Sequence, residues 1–155
     1  TVTSAQDFGV TAEGGAATVN LTQSVVSGKA GAVSSETNAV LTLNATSSTL
    51  NGVILTDATS KTNATLASGS VWNNDGNSNL TNLTNNGSTI VFASPASSAG
   101  PFHTITTTNY IGIGGTIVMN VVLGDDNSPS DKLIIDGGTA TGTTTSSSST
   151  TSAPS

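Results

Sequence analysis

Between Asp125 and Asp131 the chain sets three carboxylates, an amide and two serines in one run, Asp125-Asp126-Asn127-Ser128-Pro129-Ser130-Asp131. Oxygen ligands at alternate positions are what a hard cation such as Ca²⁺ takes. The spacing departs from the EF-hand pattern: Pro129 stands at the third ligand position, and neither the glycine nor the distal glutamate follows. The run is therefore expected to be a solvated turn between two strands. His103 is the single histidine, which leaves no multi-histidine metal site. Serines abound, but no Gly-x-Ser-x-Gly elbow accompanies them, and Phe102-His103-Thr104 has the character of a strand start. Gly112-Ile113-Gly114-Gly115-Thr116 lacks the last glycine of the dinucleotide pattern and any Gly-Lys-Ser/Thr. It predicts a tight turn. Polysaccharide cleavage would need an Arg or Lys base, or paired carboxylates at a set separation. There is no arginine, Lys29, Lys61 and Lys132 are scattered, and Asp57 and Asp75 both sit among turn residues. No set of residues here predicts catalysis.

The remaining composition narrows the partners. The net charge is −6, with three basic side chains against nine carboxylates. Nucleic acid is not an expected partner, because phosphate binding needs clustered Lys and Arg. An anionic membrane surface is disfavoured for the same reason. Cysteine is absent, which excludes disulfides and thiolate metal sites. No signal peptide precedes Thr1, and no apolar run reaches the roughly 18 residues of a membrane helix. The chain is expected to be an excised segment whose anchor lies outside it. Asn-x-Ser/Thr triplets at Asn20, Asn44, Asn63, Asn79, Asn82 and Asn86 carry no weight as glycosylation signals in so Ser/Thr-rich a chain. Thr104-Ile105-Thr106 and Thr42 do not recur in the regular register that an ice-binding face needs.

Elements that could carry these residues are strands. Thr and Val favour strands and Asn, Gly and Ser favour turns, while strong helix formers are scarce. Short apolar clusters such as Val40-Leu41-Thr42-Leu43, Val53-Ile54-Leu55 and Ser70-Val71-Trp72 recur between polar turns, and in most of the clusters alternate residues are apolar, the period of a strand with one buried face. They lie too close together for helical crossovers, which leaves an antiparallel sandwich or a β-helix with tight corners. Coils of about 20–25 residues would place roughly three coils in residues 1–70. Ile117, Met119, Val121 and Leu123 then alternate through the longest strand-like run, and Leu133 and Ile135 share a face. These are expected to be longer antiparallel strands folding over an open helix end, because a terminal coil exposes apolar surface and unpaired edges. After Gly142 comes a Thr/Ser tail with no residue more apolar than Ala153, expected to be a disordered linker.

One succession is more specific. Val71-Trp72-Asn73 leads through Asn79-Leu80-Thr81-Asn82-Leu83, Ser88-Thr89-Ile90-Val91-Phe92, Phe102-His103-Thr104-Ile105-Thr106 and Gly112-Ile113-Gly114-Gly115-Thr116 to Ser130-Asp131-Lys132-Leu133-Ile134-Ile135-Asp136-Gly137-Gly138. Over roughly residues 69–143 it resembles the end of the passenger region of bacterial autotransporters of the pertactin-like and diffuse-adherence-adhesin type. The resemblance implies an all-β fold: right-handed parallel β-helix coils in residues 1–71, and a last coil with a hairpin- or sandwich-like autochaperone cap in 72–142. Residues 143–155 would be the linker or tail. It implies no cofactor, no metal and no catalytic residue. Trp72, Leu80, Leu83, Ile90 and Phe92 would form the last-coil core and Ile117, Met119, Val121, Leu123, Leu133 and Ile135 the cap core. Gly112, Gly114, Gly115, Gly137 and Gly138 would make the cap's turns. The implied partners are the upstream β-helix of the same chain and a C-terminal outer-membrane barrel beyond this segment. The implied place is the bacterial cell surface, and the implied role is nucleating and capping passenger folding during export, within an adhesin. A second expectation is a binding module, in which polar Asn/Thr ladders of residues 1–71 contact a host surface or another copy.

Overall fold

In the computed structural model, which describes residues 1–151, every regular element is a β-strand. The first coil runs through β1 (Val2–Ser4), β2 (Phe8–Glu13) and β3 (Ala16–Thr22). The second is β4 (Val25–Gly28), β5 (Gly31–Glu36) and β6 (Val40–Thr46), and the third β7 (Thr49–Asn51), β8 (Ile54–Thr56) and β9 (Lys61–Ala67). Then come β10 (Val71–Asn74), β11 (Ser78–Asn86), β12 (Thr89–Phe92), the 19-residue β13 (Thr104–Val122), β14 (Lys132–Ile135) and β15 (Ala140–Thr151). All pairings between these strands are parallel. The fold is a parallel β-helix.

Alternation explains the core. Successive strand side chains point to opposite faces, so a residue kept in register from coil to coil builds a column inside the helix. One column runs Val26, Leu50, Trp72, Ile90, Ile117, and each member pairs with the next across neighbouring strands. All five are buried. A second runs Val19, Leu43, Ala64, Leu83, Tyr110. On the third face only β2, β5 and β8 form a continuous sheet, with Val33 paired to Ile54 inside. Outward positions carry asparagine ladders: Asn44 Nδ2 donates to Asn20 Oδ1 at 2.9 Å, Asn73 to Asn51 at 2.7 Å, Asn82 to Asn63 at 2.6 Å and Asn109 to Asn82 at 2.8 Å. Stacked amides of this kind satisfy one another along a parallel stack.

Corners recur as regularly as columns. Gln23, Ser47, Ser68 and Gly87 all have positive φ where β3, β6, β9 and β11 turn into the next strand. The step between coils is 24 residues at Ser24–Ser48, 22 at Ser48–Ser70 and 18 at Ser70–Ser88. The expectation of three coils in residues 1–70 matches this arrangement.

Two expectations about the closing region need correction. The cap is not an antiparallel hairpin or sandwich: β13 pairs in parallel with β11, β12, β14 and β15, and among the described residues antiparallel contact is confined to isolated bridges at Ser97–Gly100 and Val121–Ser130. The long apolar run alternates as a parallel coil strand does, so its length alone did not imply a hairpin. The tail is not disordered over its described part. Residues 140–151 form β15 along β13 from Tyr110 to Val122. β13 presents a long row of N–H and C=O groups there, and Thr is well suited to a strand even without an apolar face. Residues 152–155 lie outside the described part.

Candidate functional site

The closing coils are built around β11, β12 and β13. Trp72, Leu80, Leu83, Ile90 and Phe92 are all buried, and the indole Nε1 of Trp72 donates to Gly52 O of the preceding coil at 2.9 Å. A buried indole needs that partner. Ile105 and Tyr110 of β13 join the same core, and the Tyr110 hydroxyl lies 2.8 Å from Thr144 Oγ1 on β15. Ile117 is buried, while Met119, Leu133 and Ile135 are half-buried against the core. Val121 is half-buried too. Leu123 is 65% exposed and contributes nothing to the cap core.

The cause is a slip in phase. After Ile117 the inward position passes to Asn120 and Val122 instead of Met119, Val121 and Leu123. Asn120 is drawn inward by hydrogen bonds: its Nδ2 donates to Ala93 O at 3.0 Å and to Asp131 Oδ2 at 2.7 Å, and its N–H donates to the same carboxylate oxygen at 2.7 Å. Asp131 is 3% exposed, and its other oxygen accepts the His103 N–H at 2.8 Å. One buried carboxylate thus ties β13 to the loops on both sides of it. The rest of the acidic run behaves as a solvated turn, with Asp125 and Asp126 exposed. Among the described residues no cluster of three or more His, Cys, Asp or Glu side chains could hold a metal.

The glycines divide by task. Gly112, Gly114 and Gly115 lie inside β13 at a bulge, where the register shifts against both β11 and β15. Gly114 has φ +67°, and a Cβ on Gly115 would collide with the side chain of Asn85. The bulge therefore makes room for Asn85, a fully buried amide that accepts the Ser88 N–H at 3.1 Å and donates to Thr116 O at 3.2 Å. Gly137 and Gly138 stand between β14 and β15.

Residues 78–154 match the family model described as Autochaperone Domain Type 1. These residues are an autochaperone domain, which supports a C-terminal autotransporter passenger segment. No curated protein and no solved structure matches it. The autochaperone domain has a role in passenger folding, and it implies export of the passenger across the outer membrane to the cell surface. The match begins at the first residue of β11 and takes in β15, so the Thr/Ser tail belongs to the autochaperone domain.

Outside the domain's core, an open groove of about 380 Å³ lies beside β8, lined by Phe8, Glu36, Leu55, Asp57 and Asn79. Its Asp57 and Asn79 side chains are already engaged in hydrogen bonds within the helix. Asp57 Oδ2 accepts the Thr37 N–H at 2.7 Å, and Oδ1 accepts the Thr59 N–H at 2.9 Å. The Thr37 N–H, then Ser60 and Thr59, hold the Asp57 carboxyl well below the usual carboxylate range, against a smaller opposing desolvation. Asp57 serves as a corner acceptor.

Sequence reading placed Leu123 in the cap core, where it is exposed, and missed the buried Asp131, Asn120 and Asn85. Polar residues in a Thr/Ser/Asn-rich chain give no local sign of burial. The only available hint was Asp131 standing immediately before an apolar strand.

Proposed function

We propose that residues 72–142 are the folding nucleus of the passenger: they fold first, then template the stacking of the upstream coils at the cell surface. One observation supports this reading above others. β11 and β12 offer a buried apolar platform, Leu83 and Ile90, in parallel register with Ala64 of β9 and Trp72 of β10. An upstream coil can add to that platform strand by strand, as a one-dimensional stack grows by nearest-neighbour contacts. No ATP exists outside the cell, so folding free energy released this way would bias export outward. The natural partners are the upstream coils and the outer-membrane barrel that would follow. The test is refolding of the whole chain with pulsed amide hydrogen exchange. Amides of β11–β13 should gain protection before those of β4–β9, and Ile90→Ala should slow both. Earlier protection of β4–β9 sinks the proposal.

A second reading, a binding surface within an adhesin, draws on the exposed Asn20–Asn44 and Asn51–Asn73 ladders. Replacing Asn20, Asn44 and Asn51 by Ser should then reduce adhesion or cell clumping at unchanged surface display. Unchanged adhesion removes it.

A further inference from the structure

Strand amides in a parallel coil bond to the coils on either side, but near corners the chain turns away and N–H groups need side-chain acceptors. In this helix those acceptors come from one side. The N–H groups of Ser24, Ser48 and Ser70 donate to the hydroxyls of Ser48, Ser70 and Ser88 at 3.0, 3.0 and 3.1 Å. Those of Thr37, Asn38 and Ala39 donate to Asp57, Thr59 and Ser60 at 2.7, 3.0 and 3.0 Å. Those of Ile54, Thr56 and Thr62 donate to Ser78, Asn79 and Thr81 at 3.0, 3.1 and 3.1 Å. Each time the amide belongs to the earlier coil and the acceptor to the coil after it. Among the described residues the opposite sense appears only in the closing coils, where Thr104 N–H meets Asn77 and Thr139 N–H meets Asn109.

Asn79 shows the principle most fully. β8 is the last strand of the sheet β2-β5-β8, so its far edge has no backbone partner. Asn79 Oδ1 takes the Thr56 N–H, and Asn79 Nδ2 donates to Thr56 O at 2.7 Å. A side-chain amide carries the same donor and acceptor as a peptide group, and here it stands in for one residue of a missing strand. A coil lacking its successor would leave these fixed amides open, except those of Ala39 and Ser70, which also donate to Glu36 O and Ala67 O of their own coil. At these corner positions a coil lacking its predecessor frees side-chain hydroxyls, an amide and a carboxylate, which water satisfies easily.

We propose that Ser78, Asn79, Thr81 and Ser88 form an acceptor surface by which the autochaperone domain recognises the coil stacked on it, residues 54–70 of the same chain. The proposal rests on the folding role proposed above and assigns its specificity to four polar side chains instead of to the apolar platform. Native-state hydrogen exchange on the full chain tests it, with Ser78→Ala, Asn79→Ala and Thr81→Val compared with the parent chain. The matching amides, Ile54, Thr56 and Thr62, should exchange at least about tenfold faster, with β12 and β13 unchanged. Unchanged exchange at those three amides overturns the assignment. So does equal acceleration throughout the chain, which would mark a merely global loss of stability. Refolding order is a separate readout: β4–β9 protected before β11–β13 would remove the nucleus role without deciding the native-state result.

Discussion

Asp57 shows how a single exposed carboxylate can matter in a chain with so few charges. Its two oxygens accept main-chain N–H bonds from Thr37 and Thr59, and these lower its pKa in the folded state. A carboxyl depressed on folding contributes stability that is present above its unfolded pKa, near the ordinary 3.8, and is lost as pH falls through the folded value. Asp57→Asn should therefore lower the melting temperature at neutral pH. The gap should narrow progressively as pH falls below the unfolded value near 3.8. Thermal unfolding across that range checks this, and a gap independent of pH would refute it. Asp131 illustrates the opposite setting, a carboxylate almost wholly excluded from water and held by three N–H donors. The exposed carboxylates Asp125 and Asp126 of the same run gave no warning of that burial.

At the scale of the element, β13 decides the cap. Alternation from Ile117 correctly indicated a strand, but pattern alone cannot register a slip caused by a hydrogen bond to a residue eleven positions away. Two substitutions separate the predicted face from the actual one. Leu123→Ser should change stability by no more than about 0.5 kcal/mol, since the side chain already faces water. Ile117→Ala, which empties a buried site in the central column, should cost about 2–5 kcal/mol. Urea unfolding of both variants measures the contrast, and equal losses would show that Leu123 packs after all. β15 carries a related lesson. Its inner neighbours are Thr and Ser, with Ser146 following Ile117 in register, so the apolar column ends there on a small polar residue. A strand that ends a core looks, in sequence, like a linker.

Over the whole molecule, stability is a sum of coils and their interfaces, and the coils are unequal. The first coil is the weakest: most of β1–β3 is exposed, with Ala12 and Leu21 its buried apolar residues. The middle of the stack holds fully buried Leu41, Leu43, Leu50, Leu66 and Trp72. Amide exchange should accordingly be fastest in β1–β3 and slowest from β6 to β12. Uniform exchange rates would mean that the chain opens only as one unit.

By itself the sequence determined the strand content, the inward positions of Leu41, Leu43, Trp72, Leu80, Leu83, Ile90 and Phe92, and the family resemblance of its second half. Apolar periodicity is a local signal, and burial of apolar groups follows from it wherever the coils stack. Tertiary structure alone decided which polar residues go inside, that β15 pairs with β13, and which coil supplies each corner acceptor. Those outcomes depend on hydrogen bonds between residues 11 to 31 positions apart. A partner at that distance exists only once the coil has closed.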